Sequence, residues 1–151
     1  MRLSTVILPI YSRTEALRQW RRAEDLGFHT GYTYDHLSWR TFRDGPWYDA
    51  LLTLTQAASA TKDLRLGTLV TTPNFRHPVT LAKDLITLDD ISGGRLTLGL
   101  GAGTDGFDAA VLGIEALTPK QRADRFAELV QHLDTLLTTS DVTVTGEYFS
   151  A

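Results

Sequence analysis

The chain has no cysteine and one methionine among its 151 residues. Without thiols there is no disulfide framework and no thiolate zinc site, which fits a cytoplasmic protein. No apolar run approaches the ~20 residues that span a bilayer. The opening residues, MRLSTVILPIYSR, turn polar too soon for a secretory leader and read as a first strand. There is no basic block: 15 Lys and Arg stand against 18 Asp and Glu, a net charge of −3. Nucleic acid and anionic membrane surfaces are thereby set aside as partners. No serine sits in a G-x-S-x-G elbow, there is no G-x-x-x-x-G-K, and no pair of His or carboxylates has metal-ligand spacing.

What is present is a globular composition, 42% hydrophobic and 22% charged, on a length that suits one domain over residues 1–151. The organising stretch is residues 64–104. Two apolar runs, 64–70 and 95–100, flank a helical pattern that opens at Pro78 and closes at Ser92-Gly93-Gly94. Val79, Ala82, Leu85, Ile86, Leu88 and Ile91 follow the helical period as its inner face. Strand, helix, strand with continuously apolar strands is a βαβ unit of a parallel sheet buried on both faces.

The rest repeats the theme. Residues 3–10 read as a strand. Residues 14–26 read as a helix with Leu17, Trp20, Ala23 and Leu26 inward, ended by Gly27. Residues 31–34 form a short second strand, 39–46 a loop, and 48–61 a helix burying Leu51, Leu54, Ala57 and Ala58. Residues 105–117 are ambiguous. Thr118-Pro119-Lys120-Gln121 is a capping-box start for a helix to about residue 137 that buries Phe126, Leu129, Val130, Leu133 and Leu136. Residues 142–149 alternate around Gly146 like a small hairpin or an excursion. Four βα units make an α/β chain, either an open doubly wound sheet or part of a (β/α)8 barrel. A barrel takes about 250 residues.

In parallel α/β folds ligands sit at the carboxyl ends of strands. Asp35-His36 ends the second strand. It reads as a carboxylate beside an imidazole able to move a proton, or as a turn aspartate with a surface histidine. Thr71-Thr72-Pro73-Asn74 follows the third strand, either lining a polar cofactor edge or bonding its own turn, with Arg76 solvated and His77 on the surface. Gly101-Ala102-Gly103-Thr104-Asp105-Gly106 matches G-x-G-x-x-G. It follows the fourth strand rather than the first, a poor helix start succeeds it, and no acidic strand end follows. A Rossmann turn is therefore the weaker reading. Trp39, Phe42, Trp47 and Tyr48 could wall a flat ligand or pack on the next helix.

Taken in order, Gly27-Phe28, Asp35-His36, Leu66-Gly67-Thr68-x-Val70-Thr71, Arg76-x-Pro78, Thr87-Leu88-Asp89-x-x-Ser92-Gly93-Gly94-Arg95-Leu96 and Gly99-x-Gly101-x-Gly103 resemble the bacterial luciferase-like monooxygenase superfamily, in its deazaflavin-dependent branch. The resemblance covers nearly the whole chain. It implies a TIM-type (β/α)8 barrel that binds coenzyme F420, or alternatively FMN, and carries out two-electron hydride transfer on a small-molecule substrate. It implies His36 as the active-site histidine and Asp35 as the acidic cofactor contact. Thr68, Leu69, Val70, Thr71 and Thr72 would run beneath the ring, with Leu69-Val70 at the place of a cis peptide. Gly101, Gly103 and Thr104 would complete the cofactor-binding set. Thr104 stands where the sugar-phosphate dehydrogenases of this branch carry a glutamate. The family normally has about twice this length, in keeping with a complete barrel. The expectation is therefore the first four βα units, a half-barrel or fragment, either catalytic or acting only through assembly. Such a chain would pair as a homo-oligomer or with a complementary C-terminal half, and would bind cofactor weakly alone.

Overall fold

The computed structural model describes residues 1–151, the side chain of Arg40 excepted. The elements run β1 (Ser4–Val6), α1 (Arg13–Asp25), β2 (Thr30–Thr33), a 3-10 turn (Arg40–Phe42), α2 (Ala50–Ala60), β3 (Arg65–Thr68), α3 (Pro78–Ser92), β4 (Leu96–Thr97), α4 (Phe107–Ala110) and α5 (Pro119–Thr138). The four strands form one sheet in sequence order. All pairings are parallel, with Thr5 opposite Gly31, Tyr32 opposite Gly67 and Gly67 opposite Thr97. The chain packs as two compact units, Met1–Thr71 with Thr87–Leu100, and Thr72–Ile86 with Gly101–Ala151.

The first unit holds the sheet. Trp20, Leu54, Leu64, Leu66 and Leu88 are at most 2% exposed, and burying each such side chain contributes roughly 1.5–3 kcal/mol. Leu51, Leu54, Ala57 and Ala58 face inward from α2 as the helical period requires, and the Asp49 side chain caps that helix by accepting the Leu52 amide. Two charged side chains close the loops. Glu24 Oε1 accepts the amides of Lys62, Asp63 and Leu64 at 2.8, 2.7 and 2.9 Å. Burial pushes its carboxyl up, but those three amides and the Arg95 charge outweigh it and hold the group below its ordinary value.

Arg95 explains why Ser-Gly-Gly-Arg closes α3. Gly93 and Gly94 have φ of +67° and +78°, a conformation that carries no penalty only for glycine. Their amides bond back to the Asp90 and Asp89 carbonyls. The turn delivers Arg95, whose Nε donates to Ser92 O, Nη1 to Thr61 Oγ1 and Leu64 O, and Nη2 to Ala58 O. One guanidinium thus serves carbonyls that the ends of α2 and α3 leave without helical partners.

In the second unit Leu81, Leu85, Leu129, Leu133 and Val144 are buried. The capping box is formed at Thr118 and Gln121. Of the two readings of residues 142–149 the hairpin is the one formed, and it extends to the last residue, with Thr145 bridged to Ser150 and Val144 bonded both ways to Ala151. Glu128 holds it by accepting the amides of Glu147, Tyr148 and Phe149.

Several expectations need correction. The strands are shorter than their apolar runs, and β1 and β4 are not buried on both faces: β1 is largely exposed and β4 half-buried. Each is an edge of the sheet with a neighbour on one side only. Leu26 is exposed because α1 stops at Asp25. Val79, Ile86 and Ile91 face solvent, and the inner face of α3 is Leu81, Ala82, Leu85 and Leu88. Val130 is exposed and Phe126 and Leu136 are half-buried; Arg125 and His132 occupy the inner face of α5 beside Leu129 and Leu133. Periodicity alone cannot choose between apolar neighbours one position apart. Among the described residues no helix is long and apolar enough to cross a membrane.

Candidate active site

The expected site residues fall into two groups, one in each unit. The first lies at the carboxyl ends of β2 and β3. After Thr33 the chain runs through Tyr34 to Asp35, which is 0% exposed. Its Oδ2 accepts the Thr71 hydroxyl at 2.8 Å. Thr71 is itself placed by the sheet: its amide donates to Gly99 O at 2.8 Å and it bridges Leu100 in parallel register. A buried carboxylate costs several kcal/mol unless hydrogen-bonded, so this hydroxyl is part of what permits Asp35 to be there.

Between the buried Thr68 and Thr71 the chain turns outward. The Thr68 hydroxyl donates to Gly99 O at 3.0 Å and the Leu69 amide to Thr33 O at 2.9 Å. The Leu69–Val70 peptide is cis, as the resemblance implies. Leu69 is 44% exposed while both flanking threonines are fully buried. An apolar side chain is thus left at the surface on a rigidly bonded stretch, with the hydroxyl of Thr33 buried and unpartnered at the end of the neighbouring strand.

His36 is half-buried. Its ring lies 4.3 Å from that of Trp39, centroid to centroid, and Tyr34 stands edge-on to both. Trp47 Nε1 donates to the His36 carbonyl at 2.7 Å, with Phe42 against the Trp47 ring. These aromatics hold the histidine in place. A cleft of about 380 Å³ in the same unit, lined by Ile7, Pro9, Tyr11, Trp20, Tyr48 and Leu52 among others, contains none of the expected site residues.

The second group is centred on a residue that sequence reasoning did not single out. Asn74 is 3% exposed. Its Nδ2 donates to Thr104 O at 3.1 Å, and its Oδ1 accepts Arg125 Nη2 at 2.6 Å. Gly103 has φ +75°, and a Cβ there would stand 2.6 Å from Asn74 Oδ1, so only glycine fits. Thr104 is exposed, its hydroxyl accepting the Gly106 amide at 3.3 Å. Thr72 is buried and its hydroxyl faces the Asn74 amide at 3.4 Å, while Gly101 is half-buried. His77 is on the surface, as expected, edge-on to Phe149.

Arg125 is 7% exposed, and its Nε has no partner; nor has Nδ1 of the buried His132. Burial pushes the guanidinium below its ordinary value, Tyr148 works the other way, and nearby Arg122 lowers it further. A signal for Arg125 existed: it stands four residues before Leu129 and eight before Leu133, on the inner face of the helix.

The family described as luciferase-like monooxygenase matches residues 5–151. The chain is 38% identical over 131 residues to the F420-dependent glucose-6-phosphate dehydrogenase of Beutenbergia cavernae, across 85% of this chain and 38% of that protein. To 5,10-methylenetetrahydromethanopterin reductase of Methanopyrus kandleri it is 36% identical over 97 residues, 64% of this chain and 26% of that one. Among solved structures, a monooxygenase from Streptomyces bottropensis superposes with a TM-score of 0.85 at 29% identity, over 100% of this chain and 47% of its own. An F420-dependent secondary alcohol dehydrogenase, in complex with an F420–acetone adduct, gives 0.85 at 28%, over 99% and 47%. The chain spans less than half the length of these relatives, and its α/β fold is part of a TIM-type barrel.

Proposed function

Because the chain belongs to the luciferase-like monooxygenase family, we propose that it is the N-terminal, cofactor-facing half of an oxidoreductase using coenzyme F420, with FMN as the alternative. The observation that carries this reading is the pairing at the ends of the first unit's strands. A wholly buried Asp35 accepts the Thr71 hydroxyl, and the next residue, His36, presents a half-buried imidazole stacked near Trp39. The donor set fits a flat, polar-edged ring: an exposed apolar shelf at Leu69, and the unpartnered Thr33 hydroxyl close to it in the sheet. Coenzyme F420, when bound, supplies two-electron hydride transfer.

The chain's own residues do the rest. Leu69 and Val70 support the ring face, with Thr68 and Thr71 locked to Gly99 beneath them. Asp35, the acidic cofactor contact that the resemblance implies, is fully enclosed here and orients the Thr71 hydroxyl. In the second unit Thr72, Gly101, Gly103 and Thr104 keep the cofactor-binding role that the resemblance gives them. His36 gives or takes the substrate proton that accompanies a hydride. Thr104 carries no titratable group and its hydroxyl is engaged by its own turn, so proton handling falls to the imidazole. In the natural full-length protein, His36→Ala lowers kcat by about 10²–10⁴-fold, the usual share of a general acid or base, with cofactor affinity little changed. Unchanged turnover with weakened cofactor binding would reassign His36 to binding.

We further propose that the 151-residue chain by itself associates, through a second copy or a complementary C-terminal half. Strands β1 and β4 are unpaired on one side, and Leu3 and Val6 are 55% and 38% exposed. Neither strand carries a charge within it, and unpaired strand edges are templates for pairing. Sedimentation at micromolar concentration should show species above the monomer mass; a single cooperatively folded monomer would contradict this.

A further inference from the structure

Arg125 is a buried cation that is under-used by its surroundings. Arginine only donates hydrogen bonds. A guanidinium that served to join elements would be surrounded by acceptors, as the half-buried Arg95 is. Here a single side-chain acceptor, Asn74 Oδ1 at 2.6 Å, receives it, and Nε is left without a partner. The consequence falls on Asn74. Its amide has one accepting end and one donating end, and the two orientations are otherwise nearly equivalent. Because the guanidinium can only donate, it compels Oδ1 to face it. Nδ2 must then point the other way, to the Thr104 carbonyl, which can only accept, at 3.1 Å. Gly103 leaves room for that arrangement, since any Cβ would strike the amide.

We infer that Arg125 is a positioning residue: through Asn74 it sets the orientation of the Gly103–Thr104 turn. The inference rests on the cofactor-binding role proposed for those two residues. A flipped or mobile Asn74 would turn a carbonyl toward the Thr104 carbonyl, and the two acceptors would repel. The turn would loosen although nothing in the apolar core had changed. Asn74→Asp is harmful for the same reason, since it satisfies the arginine but offers Thr104 O only another acceptor.

The decisive variant is Arg125→Met, which removes the charge and keeps an apolar stem. Met relieves the burial of a sparsely bonded charge but leaves Asn74 Oδ1 unmet; the two effects oppose one another, so thermal stability changes little and separates the two roles. Three quantities are measured on the natural full-length protein and on Arg125→Met, Arg125→Lys and Asn74→Asp: the Tm, the Kd for coenzyme F420, and amide hydrogen exchange at residues 104–106 without cofactor. For Arg125→Met the expected result is a Tm close to that of the wild type, faster exchange at residues 104–106, and an F420 Kd weaker by about five- to tenfold, the worth of roughly one hydrogen bond. Arg125→Lys, which retains a donor, should recover part of the affinity. Asn74→Asp should speed exchange at the turn as Arg125→Met does. Exchange at 104–106 that stays at the wild-type rate in Arg125→Met overturns the inference. So does an exchange rate that rises only in step with a falling Tm. If the wild-type protein binds no F420, it is the cofactor reading that fails, and the exchange measurement still decides the role of Arg125.

Discussion

Arg95 in the first unit and Arg125 in the second are the same side chain under opposite conditions. Arg95 is half-buried and places three nitrogens on four acceptors, at the ends of α2 and α3 and beside β3. Arg125 is deeper and gives one side-chain hydrogen bond while Nε goes unmet. The contrast teaches that depth alone does not say what a buried charge is for. What counts is how many acceptors surround it. A saturated guanidinium welds elements together, whereas a sparsely bonded one contributes little to stability and must be judged by what it orients.

Removing each arginine sharpens the comparison most. Arg95→Ala strips four acceptors of their donor at once, and loss of hydrogen bonds to a charged group should cost about 2–4 kcal/mol of unfolding free energy. Arg125→Met loses one hydrogen bond and relieves the burial of a sparsely bonded charge, so it should stay within about 1 kcal/mol of wild type. Urea unfolding of the two variants side by side is the check, and equal losses would erase the distinction. A smaller, pH-dependent effect comes from Glu24, the anionic counterpart that gathers three amides in the unit that contains Arg95. Its folded pKa lies below the ordinary 4.5, so the stabilisation is fully present above that value and is lost as pH falls through the lowered folded pKa. Stability measured against pH for wild type and Glu24→Gln should therefore run parallel near neutrality and converge in acid. A gap that widened as the pH dropped would contradict the assignment.

The same contrast explains what was legible in the sequence. Arg95 belongs to a local sentence, Ser92-Gly93-Gly94-Arg95, in which positive-φ glycines announce a helix end and a base follows it. The parallel βα order, the Pro78 and Thr118 starts, and Asp35-His36 at a strand end were readable for similar reasons, since each is a short-range pattern with a physical cause. Arg125 could be read only by trusting a charged residue on an apolar helical face, where the ordinary expectation is that Phe126 turns inward instead. Asn74 looked like one polar residue in a turn. Its importance comes from residues 30 and 51 positions away, a separation no local pattern reports. The exposure of β1 and β4 likewise depends on which strands lie beside them, not on their own apolar runs.

The most direct test of the functional reading is a titration of coenzyme F420, and separately of FMN, into the natural full-length protein and its His36→Ala variant, followed by the cofactor's fluorescence. The expected result is saturable binding of F420, tighter than that of FMN, which His36→Ala preserves while losing turnover. Absence of saturable binding of either cofactor by the wild-type protein would contradict it.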